Sequence, residues 1–78
     1  MVIRFPINPV LESLSYANDN LTLVFKKKIE GKVLLQSRQY ENVPKEVVYP
    51  WIYKKSASEV LSYYAKNIRK KFKLISIK

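Results

Sequence analysis

Lysine and arginine are the chemically distinctive residues of this chain. Its 78 residues include 15 Lys and Arg, six Asp and Glu, no His and no Cys, which gives a formal net charge of +9. The usual general bases, activated nucleophiles and thiolate metal ligands are therefore nearly all missing. We expect no enzymatic activity, no metal site and no cofactor, and we expect the cationic side chains to bind a polyanion.

The six carboxylates are too scattered to predict a catalytic metal site. A metal-dependent nuclease needs carboxylates that converge on one point. Here they fall on separate predicted elements: Glu12, Asp19, Glu30, Glu41, Glu46 and Glu59. This spacing favours a binding protein over a nuclease.

Four cations near the end of the chain form the first candidate binding site: Lys66, Arg69, Lys70 and Lys73. At 100° per helical residue they fall within about 100° of arc, opposite an apolar stripe. Such a face attracts phosphates, and neutralising roughly four to six of them would give a slope of about −4 to −5 for log K against log salt. The alternative is a solvated helix exterior whose cations interact with the helix dipole.

Two other features could extend this site. The run of three lysines at residues 26–28, with Lys32, could supply Lys26 and Lys28 from a hairpin tip, although lysines there also prevent strand-to-strand aggregation. Tyr63 lies among the helix cations and is the one aromatic side chain that we expect to be exposed for stacking on a base.

Three strands are predicted to precede the helices. Residues 10–16 alternate, with Val10, Leu14 and Tyr16 on one side, and residues 21–28 form the second strand after a turn at 17–20. Gly31 marks the next turn because it tolerates positive φ, and residues 33–40 return as the third strand.

Two helices are predicted after the strands. The first begins near Pro44 and is kinked by Pro50, continuing to about residue 55. Ser56 and Glu59 have the spacing of a capping box at the start of the second helix. That helix carries an apolar stripe to residue 72, made of Ala57, Val60, Leu61, Tyr64, Ala65, Ile68 and Phe72.

This order of elements predicts a single α+β domain over residues 1–78, with its core in residues 10–73. We expect a three-stranded antiparallel meander followed by two helices packed on one face, with residues 3–7 or 74–77 able to add a short edge strand. No apolar run reaches the roughly 18 to 20 residues that cross a bilayer, and residues 1–10 do not resemble a secretory signal. A cytoplasmic location is the resulting expectation.

Short motifs between residues 14 and 72 carry a family resemblance. They are Tyr16, the L-T-L-V-F run at 21–25, the Y-E-N-V-P run at 40–44, Ala57 with Ser58, Tyr63 with Tyr64, Ile68 with Arg69, and Phe72. With these motifs the chain resembles the KTSC family, a small domain found alone in many prokaryotic and phage proteins and at the C-terminus of some lysyl-tRNA synthetases. The resemblance implies a three-stranded sheet plus helices, and suspected RNA binding.

The chain also departs from the KTSC pattern. Arg38 stands where the family has the first aromatic residue of a Tyr-x-Tyr, and Leu61 and Ser62 stand where glycines are typical. The missing glycines predict a longer second helix. The hairpin at residues 26–32 is also several residues longer than is usual, which adds cations near its tip.

Together these patterns predict a small basic module that binds nucleic acid, RNA or single-stranded DNA, through phosphate contacts with little sequence specificity. The alternative is a protein-interaction or inhibitory accessory module, of phage or mobile-element origin, that docks on an acidic partner. Neither reading requires a membrane or a small-molecule substrate.

Overall fold

Five antiparallel strands, two short α-helices and a 3₁₀ segment make up the protein in a computed structural model, which describes residues 1–53 and 56–78. Each strand pairs with the next one along the chain, giving one open sheet in the order β1 to β5. The strands are β1 (Val2–Arg4), β2 (Leu11–Ala17), β3 (Asn20–Ile29), β4 (Lys32–Tyr40) and β5 (Leu74–Ile77). The α+β class is confirmed. The sheet has five strands instead of the expected three, because both termini add an edge strand.

Two tight turns set the register of the central hairpins. Asn18 and Asp19 have φ of 52° and 61°, and Glu30 and Gly31 have φ of 51° and 79°. Two consecutive residues at positive φ form a type I′ turn, whose twist matches that of the flanking strands. Both turns were predicted from their residue types, and both reverse the chain where expected.

A β-bulge in β2 changes which side chains face the core. The register of β2 on β3 shifts between Leu11 and Ser13, so one extra residue is inserted there. Leu11 and Leu14 are therefore both fully buried although they are three residues apart, and Val10 is 46% exposed. The predicted grouping of Val10 with Leu14 and Tyr16 is wrong, because strict alternation assumes a strand without a bulge.

The helical segments cover one face of the sheet. They are α1 (Lys45–Val48), a 3₁₀ segment (Tyr49–Tyr53) and α2 (Ala57–Asn67). The core joins Leu11, Leu14, Leu21, Leu23 and Tyr40 of the sheet to Val43, Val48, Trp51, Ala57, Val60, Tyr64 and Ile68. Trp51 is fully buried, and its indole N–H donates to the carbonyl of Val60 at 3.3 Å, which ties the 3₁₀ segment to α2.

Prolines and a serine cap define the helix boundaries. Pro44 occupies the N-cap of α1 with ψ of 152°, and the α-helix changes to 3₁₀ geometry at Tyr49, just before Pro50. Ser56 caps α2: its hydroxyl oxygen accepts from the Glu59 amide at 3.2 Å, and its hydroxyl donates to the Glu59 carboxylate at 3.1 Å. The expected continuation of the first helix to residue 55 reaches Lys54 and Lys55, which lie outside the described residues.

A buried tyrosine pair connects β4 to α2. The hydroxyl oxygens of Tyr40 and Tyr64 are 2.5 Å apart, and their rings meet edge to face with centroids 5.9 Å apart. The ring of Phe25 on β3 lies 5.7 Å from that of Tyr64. Burial, followed by the hydrogen bond with Tyr64, raises the pKa of Tyr40 to about 12. Tyr40 therefore stays neutral over the pH range in which most proteins are stable.

Replacing Tyr40 with Phe tests the contribution of this hydrogen bond. The Y40F variant leaves the Tyr64 hydroxyl buried without its partner, so we expect a loss of about 1 to 2 kcal/mol in the free energy of urea unfolding at pH 7. Tyr49 is 49% exposed, and Tyr49→Phe is the matched control with no expected change. Equal stability of the two variants would contradict a structural role for the pair.

The raised pKa of Tyr40 predicts that the folded state loses stability at alkaline pH. Because the pKa of Tyr40 is raised in the folded state to about 12 from 10.0, the folded state holds this proton more tightly than the unfolded state. Its stabilising contribution is complete below about pH 10 and is lost as the pH rises from about 10 to about 12. Urea unfolding at several pH values in this range should show that the free energy of unfolding falls less steeply with pH for Y40F than for the parent protein. Parallel declines would rule out Tyr40 as the source.

Candidate nucleic-acid interface

The C-terminal cationic cluster, Lys66, Arg69, Lys70 and Lys73, surrounds the end of α2. The amides of Ile68 and Arg69 both donate to the carbonyl of Tyr64 at 3.0 Å, so the helix ends in a wide turn. The amide of Phe72 then donates to the carbonyl of Ile68 at 3.0 Å, which adds one more turn before β5. The predicted continuous helix to residue 72 is wrong. Lys66 lies in the last turn of α2, Arg69 and Lys70 lie in the additional turn, and Lys73 follows that turn, so the four cations do not share one helical face.

Packing explains why the helix stops there. Ile68 is fully buried, and Phe72 packs against the core from the additional turn. The side-chain amide of Asn67 also donates to the carbonyl of Tyr63 at 3.2 Å within the last turn of α2. The bend lets the chain bury Ile68 and Phe72 and still return to pair with β4.

Three members of the cluster are exposed and have no acidic partner in the described chain. Lys66, Arg69 and Lys70 are all exposed. Within residues 1–53 and 56–78 the ion pairs are Lys26 with Glu12 and Lys73 with Glu41. Among the other carboxylates, that of Asp19 accepts from the Tyr16 hydroxyl and that of Glu59 accepts from the Ser56 hydroxyl.

Lys73 is only loosely paired. Its ammonium lies 3.8 Å from a carboxylate oxygen of Glu41, and the two side chains are 77% and 35% exposed. An ion pair of this kind contributes about 0 to 1 kcal/mol and exchanges readily for another anion. The backbone is held more firmly, because the amide of Glu41 donates to the carbonyl of Lys73 at 3.3 Å. Lys73 is thus fixed in position by its backbone while its charge remains accessible.

Lys71 adds a further cation at this end of the domain. It is exposed in the turn after α2, where the bend at Ile68 takes the chain out of the helix. Its charge therefore adds to the positive potential at the negative end of the α2 dipole.

Tyr63 does not have the exposed orientation that its helical position suggested. Its side chain is half-buried, its hydroxyl donates to the carbonyl of Val47 at 2.6 Å, and its ring meets that of Trp51 edge to face with centroids 4.8 Å apart. These contacts join α2 to α1 and to the 3₁₀ segment. Tyr63 is better explained as a packing residue than as a platform for a base.

Lys26 is a structural cation. Its ammonium donates to the carbonyls of Asn8 at 2.7 Å, Pro6 at 3.1 Å and Phe5 at 3.5 Å, and it pairs with Glu12 at 3.3 Å. Its side chain is only 15% exposed. The expectation that Lys26 binds a phosphate therefore conflicts with its surroundings, since its donors already hold the segment between β1 and β2.

This role predicts unequal effects for two neighbouring lysines. Lys26→Met keeps the length of the side chain but removes the ammonium donor to the carbonyls of Pro6 and Asn8 and to Glu12, so we expect a loss of about 2 kcal/mol in the free energy of unfolding. Lys28 is exposed, and Lys28→Met should change stability by less than about 0.5 kcal/mol. Thermal or urea unfolding of both variants measures the difference, and similar values would contradict the structural role of Lys26.

Lys28 lies far from the C-terminal cationic cluster. It is exposed near the tip of the β3–β4 hairpin, where it pairs across from Val33. Lys73 lies beside Glu41, at the opposite end of β4. Eight residues of strand separate Val33 from Glu41, which corresponds to roughly 26 Å. The structure therefore does not bring the predicted hairpin and helix cations together in one patch.

Arg38, which stands at the position of the missing family aromatic, turns towards the core. Its guanidinium carbon lies 5.5 Å from the centroid of the Phe25 ring, a cation–π geometry. It also lies close enough to Tyr40 that its charge partly opposes the increase in the pKa of that residue. Arg38 is half-buried and contributes little to the exposed positive surface.

The described residues offer binding groups more clearly than catalytic ones. No three His, Cys, Asp or Glu side chains among them are grouped closely enough to hold a metal ion. None of the helices in the described ranges is both long and apolar enough to cross a membrane. What the site presents chemically is a set of exposed ammonium and guanidinium donors suited to phosphate or carboxylate groups.

Comparisons of the chain with protein-family models, curated proteins and solved structures gave no match. The KTSC resemblance therefore stays a prediction based on the motifs described above.

Proposed function

We propose that this protein binds nucleic acid, RNA or single-stranded DNA, through the C-terminal cationic cluster. The observation that carries the proposal is the exposure of Lys66, Arg69 and Lys70 without an acidic partner in the described chain. Buried tyrosine and isoleucine side chains fix the turns that display them. A phosphate chain would find donors already placed and would not have to displace strong internal ion pairs.

The surroundings of the cluster favour phosphate contacts over base recognition. Tyr63, the nearest aromatic candidate, is engaged with Trp51 and the carbonyl of Val47. The apolar side of α2 packs on the sheet, so this helix cannot enter a major groove with that side. Binding would therefore depend on charge and accept many sequences, as the sequence patterns predict.

A double charge reversal tests this proposal. Lys66→Glu combined with Lys70→Glu should weaken binding to a fluorescent single-stranded RNA by at least tenfold, because each change replaces attraction by repulsion. On a single strand, where each phosphate contact contributes a slope of about −0.7, about four contacts predict a slope of about −3 for log K against log salt in the parent protein, and the variant should lose about one third to one half of it. Fluorescence anisotropy at several salt concentrations measures both quantities.

The matched control reverses two exposed cations elsewhere. Arg4 on β1 and Lys45 on α1 are both exposed, and Arg4→Glu with Lys45→Glu changes the net charge by the same amount. If this control still binds RNA, the loss in the first variant is due to a local site and not to the lower net charge of the protein. The assigned site would be contradicted if the two double variants lost RNA affinity equally. It would also be contradicted if Lys27→Glu with Lys28→Glu alone caused the loss of RNA affinity.

Parallel titrations with single-stranded DNA, duplex DNA and heparin identify the ligand class. The proposal requires the single-stranded nucleic acids to bind more tightly than heparin at matched charge concentration. Uniformly weak binding to all nucleic acids would reject it in favour of the alternative prediction, docking on an acidic protein.

A further inference from the structure

The β3–β4 hairpin leaves one edge of β4 open. β5 pairs with β4 from Arg38 to Tyr40, and Lys78 extends this pairing to Ser37. Beyond Ser37, towards the turn at Glu30 and Gly31, no other described segment pairs with this edge of β4. The open edge is the stretch of β4 from residue 32 to residue 36.

The pairing of Ser37 shows which backbone groups point out of this edge. Its amide donates to the carbonyl of Lys78 at 2.8 Å, and its carbonyl accepts from the amide of Lys78 at 2.9 Å. Ser37 therefore directs both backbone groups away from β3. In an antiparallel strand this direction repeats every second residue, so Leu35 and Val33 also direct their N–H and C=O groups out of the open edge. Two donors and two acceptors are aligned there for another strand.

The side chains around the open edge are unusually apolar for a solvent-exposed hairpin. Val33, Leu34 and Leu35 are 61%, 50% and 57% exposed, and Ile29 is 51% exposed. Val33 and Leu35 lie on the face of the sheet opposite the helices, and Leu34 lies on the same face as the helices, beyond their cover. An added strand would therefore cover aliphatic side chains on both faces as well as satisfy the free backbone groups.

Charge distinguishes the two faces of this edge. On the face of Leu34, the exposed Lys32 precedes it by two residues and the exposed Lys27 lies directly across on β3. A residue placed opposite Leu34 would have these ammonium groups as neighbours. On the other face, residues opposite Val33 and Leu35 would contact these two aliphatic side chains directly, and the exposed Lys28 would lie one strand further away, across from Val33 on β3. The edge thus fits a strand with apolar residues on one side and carboxylates on the other.

We infer that the open edge of β4 binds an extended peptide segment in which apolar and acidic residues alternate, so that the segment adds a strand to the sheet. Its apolar residues face Val33 and Leu35 and make the main-chain hydrogen bonds. Its carboxylates lie beside Lys27 and Lys32.

Two other occupants fit the edge less well. Antiparallel pairing of two copies of this edge would place Lys32 of each copy opposite Gln36 of the other and would bring together two molecules that each carry a net charge of +9. Insertion into an anionic lipid surface would bring the Glu30 carboxylate, at the hairpin turn, to that surface first. The acidic strand meets neither repulsion.

The test uses the full chain, labelled with ¹⁵N, and the synthetic peptide acetyl-Glu-Val-Glu-Leu-Glu-Val-Glu-amide. Titration should shift the Val33 and Leu35 amide resonances most strongly and slow their hydrogen exchange. N-methylation of the three apolar residues of the peptide should weaken binding by about tenfold or more, because those amides face β4. N-methylation of its inner glutamates, whose amides face away, is the matched control and should retain binding.

A pair of protein variants tests the same hydrogen bond from the other side. Leu35→Pro removes an N–H that points out of the sheet, so the β3–β4 pairing should persist while peptide binding falls by about threefold or more. Leu35→Ala keeps this N–H and separates the loss of the donor from the loss of the side chain. RNA binding by both variants should equal that of the parent protein, because the C-terminal cationic cluster is untouched.

Several results would overturn the inference. They are the absence of shifts at Val33 and Leu35 at millimolar peptide, and equal affinity of the two N-methylated peptides. Concentration-dependent dimerisation that protects the same amides without peptide would assign the edge to a second copy. If phosphatidylserine vesicles protect the hairpin amides from hydrogen exchange and the peptide does not, the edge would be assigned to a lipid surface.

Discussion

The hydrogen-bonded pair of Tyr40 and Tyr64 holds α2 against the sheet, and the position of the cationic cluster depends on this contact. Tyr40 ends the long strand β4, whereas Tyr64 lies one turn before the end of α2, so the pair fixes this end of the helix over the sheet. Ile68 and Phe72 continue the same packing after the helix ends. Because these side chains face inwards, Lys66, Arg69 and Lys70 remain in solvent. The energetic cost of exposing three like charges is small there, since water solvates them fully.

The lysines of this protein perform different physical tasks although the sequence gives them the same charge. Lys26 closes the segment between β1 and β2 by donating to main-chain carbonyls and to Glu12. Two residues later, Lys28 is exposed at the hairpin tip. The surfaces proposed for nucleic acid and for an acidic strand lie at opposite ends of β4, so a ligand at one need not exclude a ligand at the other. A small basic domain could in this way connect two partners.

Local sequence patterns predicted much of the fold because turns and caps are local interactions. The Asn18–Asp19 and Glu30–Gly31 turns, the Ser56 cap and the change of helix type before Pro50 all depend on residues within a few positions of one another. The bulge in β2 and the early end of α2 were missed. Each depends on the partner strand or on the core, so periodicity alone could not predict it. The N-terminal loop that binds Lys26 likewise has no signal in the sequence around that lysine.

The sequence by itself determined the class of the fold, the two hairpin turns, the start of α2 and the excess of positive charge, because composition and short-range spacing are sufficient for each. Only the tertiary structure decided which cations are free. It bound Lys26 to carbonyls that are 18 to 21 residues away, turned Tyr63 against Trp51, and left Lys66, Arg69 and Lys70 exposed. It also decided that one edge of β4, over residues 32–36, pairs with no other strand among the described residues. The physical reason is the same in each case: burial and pairing depend on residues distant in the chain, whose approach is set by packing of the whole domain.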